Sequence, residues 1–101
     1  MAQQFVILSK QESSSGELMP LGDRKEFLAQ LGQLNTHPSR PGEDILFGPG
    51  IRLELPPDED PIKQVLLTIV EQEIAWLVIM RLARKLDWKI MDPLSGRELT
   101  P

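Results

Sequence analysis

The segment Pro61–Leu86 reads PIKQVLLTIVEQEIAWLVIMRLARKL, and its interpretation decides the fold that we predict for the whole chain. Asp60 precedes it as a candidate N-cap, and Pro61 would stand in the first helical turn, where a missing N–H costs nothing. No glycine or further proline interrupts the residues that follow. The segment therefore predicts a long second helix over residues 61–86, with an unbroken apolar run, Ile74–Met80, inside it.

The apolar side of this predicted helix changes direction along its length. At about 100° per residue, the apolar side chains of the first half form one stripe, and those of the second half lie more than about 100° away from it. Three interpretations are open. The helix breaks near residues 73–75, or it is straight and covered on two sides, or Ile74–Met80 is a strand, because Ile, Trp and Val favour sheets. The helical pattern of Leu82–Leu86 favours one straight helix.

Glu73 lies inside the stripe of the first half, at the edge of the apolar run. Either the stripe leaves the core at this point and the carboxylate reaches water, or Glu73 is buried and partnered. A buried Glu73 would be a carboxylate with perturbed ionisation and the best candidate for a functional residue. We favour the first interpretation.

The rest of the chain supplies one more helix and shorter strands. Asp23 is a candidate N-cap with Glu26 three residues later, the pattern of a capping box, and Asn35 is a candidate left-handed residue at the end of the same helix. Gly48-Pro49-Gly50 predicts a tight hairpin turn, with a single strand broken by a glycine bulge as the alternative. The predicted elements are a strand over 5–8, a helix over 23–35, strands over 45–47 and 51–55, the helix over 61–86 and a strand over 88–91.

This order, β-α-β-β-α-β, is that of the ferredoxin-like split β-α-β arrangement. The sequence therefore predicts a two-layer α+β fold with a small antiparallel sheet and two helices, the second one long. The length of 101 residues predicts a single domain over 1–101. We expect flexible loops near residues 11–17 and 36–44, and a C-terminus over 97–101 that pairs back briefly or frays.

Composition argues against several classes of function. The chain has no cysteine and only one histidine, His37, so we expect neither a metal centre nor a cofactor. A formal charge of −4 is unfavourable for binding nucleic acid, which depends on basic side chains. The longest apolar run is far shorter than the ~20 residues of a membrane-spanning helix, and the first residues lack the pattern of a secretory signal. We therefore expect a cytoplasmic location and no membrane contact.

No motif predicts a catalytic residue, and the sequence leaves the biochemical function unknown. The apolar surface of the second helix exceeds what a small sheet would cover, which predicts a non-catalytic protein-interaction module, as a homodimer or an accessory subunit. The predicted interface consists of Trp76, Leu77, Val78, Ile79, Met80 and Leu82, rimmed by Arg81, Arg84 and Lys85. The alternative is a small-molecule-binding regulatory domain or a small enzyme with Glu73, Arg52 or Arg84 in a pocket.

Overall fold

The structure, a computed structural model, describes residues 3–99, which form seven β-strands and two α-helices. The strands are β1 (Gln4–Ser9), β2 (His37–Pro38), β3 (Ile45–Gly48), β4 (Ile51–Glu54), β5 (Val65–Ile69), β6 (Trp88–Met91) and β7 (Glu98–Leu99). The helices are α1 (Arg24–Gln33) and α2 (Gln72–Leu86). All seven strands belong to one antiparallel sheet, in the order β2-β3-β4-β5-β1-β6-β7.

Side chains from both helices pack against the same face of this sheet, which we call the inner face. Phe5 of β1 and Trp88 of β6 are fully buried there. Phe27 of α1 lies against Trp88 with ring centroids 6.4 Å apart, and Trp76 of α2 meets Phe5 edge-on at 5.4 Å. The alternation of strand side chains therefore directs every second residue of the central strands into one apolar core.

The α+β class with one antiparallel sheet and two helices is confirmed, but the ferredoxin-like strand order is wrong. Residues 65–69 form β5, a central strand between β4 and β1, where the sequence predicts the first half of a helix. Val65, Leu67 and Ile69 are buried on the inner face. A short apolar run fits both a helix and a buried strand, and pairing on both sides decides for the strand.

The apolar side of the 61–86 segment changes direction because the segment contains two elements, a strand followed by a helix. β5 alternates with period two and α2 follows with its own buried side, formed by Ala75, Ile79, Leu82 and Ala83. None of the three interpretations of the 61–86 segment placed a strand before the apolar run. Residues 74–80 themselves are helical, in agreement with the helical interpretation of this part.

Gly50, in the turn between β3 and β4, contacts the junction where β5 ends and α2 begins. Its carbonyl oxygen accepts hydrogen bonds from the backbone N–H groups of Val70 and Glu71, at 2.8 and 3.0 Å. The backbone of Gly50 is left-handed (φ +73°), and a Cβ there would lie 2.6 Å from Cγ1 of Ile74 and 2.9 Å from the carbonyl oxygen of Glu71. Only glycine fits both the angle and the close approach.

Several local predictions are confirmed. The Asp23 carboxylate caps α1 by accepting from the N–H of Glu26 at 2.8 Å, and Asn35 adopts the left-handed conformation (φ 59°) just beyond the helix. Residues 48–51 form the predicted hairpin, with Gly48 paired to Ile51. The last predicted strand is β6. Glu98–Leu99 pair back onto it as β7, while Thr100 and Pro101 lie outside the described residues.

Asp60 has a different role from the predicted one. It was expected to cap a second helix that begins at Pro61, but no helix begins there. Its carboxylate instead accepts the backbone N–H of Arg24, the first residue of α1, at 2.9 Å. Asp60 therefore assists the N-terminus of the other helix, since exposed N–H groups at a helix start favour a nearby carboxylate.

We expect Gly50→Ala to destabilise the fold by about 3 kcal/mol, because alanine adds backbone strain and a collision with α2. Gly96 has nearly the same φ (+72°) but open space around its Cβ position. Gly96→Ala should therefore cost only about 1 kcal/mol, the strain alone. Urea unfolding of both variants measures the difference, and equal losses would contradict the proposed close contact.

Candidate interaction surface

Arg24 is the most connected polar side chain at the start of α1. Its Nη1 donates to the carbonyl oxygens of Pro56, at 2.9 Å, and Glu59, at 3.3 Å. Its Nη2 forms an ion pair with the Asp44 carboxylate. The guanidinium therefore joins α1 to the loop before β3 and to the loop after β4, and its donors are engaged within the chain. This arrangement is structural, and the sequence does not predict it, because arginine spacing alone does not reveal loop carbonyls.

We expect Arg24→Met to lower the free energy of unfolding by about 2 kcal/mol, since charge-assisted hydrogen bonds to three acceptors are lost while the aliphatic stem remains. Arg40 offers the control. It pairs with Glu43 at 4.0 Å, but its side chain is 85% exposed, so Arg40→Met should cost less than about 0.5 kcal/mol. Denaturant unfolding of the two variants tests this; a loss at Arg40 as large as that at Arg24 would contradict it.

The predicted interface on the second helix is divided between core and surface. Ile79 and Leu82 are buried in the core of the chain itself. Trp76, Val78 and Met80 are partly buried against it. Of the apolar members only Leu77 is largely exposed, at 79%. The basic members Arg81, Arg84 and Lys85 are exposed and, with Leu77 and Met80, line a shallow groove.

Glu73 is exposed at the first turn of α2, so the burial on which its functional interpretation depended is absent. Its neighbours Glu71, Gln72 and Ile74 line the same open groove and are exposed as well. A carboxylate close to a helix N-terminus is also what the helix dipole favours. The position of Glu73 is therefore explained by helix structure.

The face of the sheet opposite the core carries a second apolar surface, which we call the outer face. The strand register places the side chains of Ile45, Glu54, Leu66, Val6 and Met91 in one row across β3, β4, β5, β1 and β6, so that the carboxylate of Glu54 separates Ile45 from the other apolar members. Phe47 lies two residues after Ile45 on the same face of β3 and is 46% exposed, and Ile45 is 38% exposed. The other apolar members are half-buried: Val6, Leu8, Leu66 and Met91.

The charges of the outer face are paired with one another. Arg52 and Glu54 of β4 approach to 3.7 Å, and Lys89 of β6 and Glu98 of β7 approach to 3.6 Å. The Nε of Arg52 is buried and has no hydrogen-bond partner within the described chain. Two basic and two acidic side chains leave this face without net charge, although the chain as a whole carries −4.

Two continuous apolar runs in the sequence indicate that the outer face of the sheet carries apolar side chains. Strands that read as continuous apolar runs are typical of sheets covered on both sides. Phe5–Leu8 and Ile45–Phe47 are such runs, and their inward residues are Phe5, Ile7 and Leu46. The alternate residues of the same runs must then be apolar on the other side. The signal was missed because the runs were interpreted only as buried strands.

Side chains that commonly bind metal ions do not cluster in the described part of the chain. Among residues 3–99, no three side chains of His, Cys, Asp or Glu come close enough together to hold a metal ion. His37 is exposed in the two-residue strand β2. Neither described helix is long and apolar enough to cross a membrane.

Comparison with known proteins identifies no relative: no family model, curated protein or solved structure matches the chain. Its surfaces are therefore the basis for any functional conclusion.

Proposed function

We propose that this protein is a non-catalytic protein-interaction module that binds its partner through the outer face of the sheet. The observation that supports the proposal is the group of apolar side chains on the sheet face opposite the two helices, which residues 17–20 border only beside Leu8. An antiparallel sheet with one face in water is typically polar on that face. Contiguous apolar surface on a folded protein is characteristic of interaction sites.

Among the side chains of the outer face, Phe47 gains most from being covered. With 46% of its surface exposed, complete burial would contribute about 2 kcal/mol at the usual apolar transfer energy. Aromatic side chains are also enriched among residues that dominate binding energy. Ile45 lies on the same strand and face, so the two side chains form an anchor at one end of the outer face.

The exposed part of α2 is a second candidate surface for the same function. Leu77 is 79% exposed and is surrounded by the basic side chains Arg81 and Arg84. We rank it below the outer face because Leu77 is the only largely exposed apolar side chain of the predicted set, whereas the outer face carries apolar residues from four strands.

A small-molecule-binding domain or small enzyme, the alternative predicted from the sequence, has less support. Glu73 and Arg84 lie on open surface, and Arg52 is paired with Glu54. A thermal-shift screen against common metabolites and metal ions tests it. Stabilisation by one compound that Arg52→Met abolishes would favour this alternative over a protein partner.

The interaction itself is tested by replacing Phe47 with a photo-reactive phenylalanine analogue in living cells. Light should then link the chain covalently to one defined protein, because Phe47 is expected to lie within the interface. The same analogue at Leu77 tests α2, and at Leu94, which is 97% exposed, it reports random encounters. Adducts are separated by mass and identified by peptide sequencing.

If Phe47 gives no more adduct than Leu94, the outer face is not an interface and the proposal fails. A defined adduct from Leu77 alone would transfer the function to α2.

A further inference from the structure

We propose that the partner on the outer face is a second copy of this chain, so that two sheets pack face to face around a two-fold axis. This inference rests on the proposed function and names the occupant of the same surface. It is supported by the charge of the outer face, by the exposed area of the chain and by the form of the sheet edges.

The charge distribution of the outer face is compatible with its own copy. A two-fold interface brings the same patch together from both subunits, so a patch with net charge would repel itself. The two ion pairs, Arg52 with Glu54 and Lys89 with Glu98, leave this face neutral. The negative charge of the chain is carried elsewhere, for example by Asp58, where it would not be brought against its copy.

The chain exposes more surface than a monomeric protein of its mass usually does. The chain exposes 6485 Å². A monomeric globular protein of 11.4 kDa is expected to expose only roughly 5,800 Å² by the usual scaling of surface with mass. The excess of about 700 Å² belongs to the whole chain, loops included, and is of the same order as the roughly 800 Å² that each partner buries in an interface of standard size.

The short edge strands of the sheet disfavour association by edge-to-edge strand pairing. The two outermost strands, β2 and β7, are two residues long each, and Pro38 removes one of the N–H donors of β2. Such short edges offer little backbone for a second copy to extend the sheet. Extension of the sheet from edge to edge is therefore disfavoured, and a copy on the apolar outer face would place the two sheets about 10 Å apart as in other packed sheets.

The two-fold arrangement places particular residues together. β5 and β1 lie in the middle of the outer face, so Leu66 and Val6 should lie near the axis and meet their own copies. With the axis parallel to the strands, Phe47 and Ile45 lie toward one end and should pack on the opposite end of the partner, where Met91 lies. The centre of the dimer is therefore expected at Leu66, and its anchor at Phe47.

Sedimentation equilibrium of the 101-residue chain tests the inference directly. The native chain should dimerise, and Phe47→Lys should raise the dissociation constant at least 10-fold, because a lysine would have to be buried. Leu77→Lys introduces the same charge on α2 and should leave the constant unchanged within about twofold. Dimerisation should also change little between low and high salt, because the charges of the face are already paired within each chain.

Circular dichroism shows whether each variant is folded, and Ile45→Lys repeats the test at a second position of the same face. A native chain that stays monomeric up to the highest soluble concentration would overturn the inference. Loss of dimer in Leu77→Lys, with Phe47→Lys unaffected, would also overturn it.

Cross-linking locates the axis, because the chain contains no cysteine and one introduced thiol is the only one present. Leu66→Cys with a short bis-maleimide should give a covalent dimer in high yield, and Leu77→Cys should not. Efficient linkage at Leu77 with none at Leu66 would contradict the face-to-face arrangement.

The two proposals fail in different ways. If the native chain is monomeric while the photo-reactive analogue at Phe47 links to a different protein, the second-copy inference is wrong and the interaction function stands. If Phe47 links to nothing, both are wrong.

Discussion

The structure depends on a single junction, where the hairpin turn at Gly50 meets the end of β5 and the start of α2. One carbonyl oxygen accepts two successive amides there, from Val70 and Glu71, and so satisfies donors that would otherwise be left free as the chain turns out of the sheet. The turn can come this close only because residue 50 lacks a side chain. The direction of α2 across the inner face, and therefore the packing of Trp76 on Phe5, follows from that contact.

This junction also explains which parts of the fold were predictable. The cap at Asp23, the left-handed Asn35 and the hairpin at residues 48–51 are determined by neighbours in sequence, and each was predicted. The end of β5 is determined by a residue twenty positions earlier in the chain, and no local pattern marks it. The same holds for Asp60, whose carboxylate serves a helix far away in sequence. Local chemistry was predictable, and contacts made by tertiary structure were not.

The candidate surface illustrates the same division. Interpreting β5 as helix made the second helix appear to carry too much apolar surface, which motivated an interface that included Ile79 and Leu82. In the structure these two residues fill the core. The apolar excess of the sequence is nevertheless real, and the alternation of the strands assigns it to the outer face, through Phe47 and its neighbours. The proposed function still rests on excess apolar surface, but the surface proposed to bind the partner is the outer face of the sheet and not the second helix.

The central position of β1 has a consequence for how the chain folds. Its two neighbours in the sheet, β5 and β6, are the strands at residues 65–69 and 88–91, so every backbone pair that β1 makes joins residues far apart in sequence. Such pairs carry the entropic cost of closing long loops before they contribute any stability. We infer that the hairpin of β3 and β4 forms early and that the first strand is inserted late, which makes the described part of the chain fold slowly and as one cooperative unit.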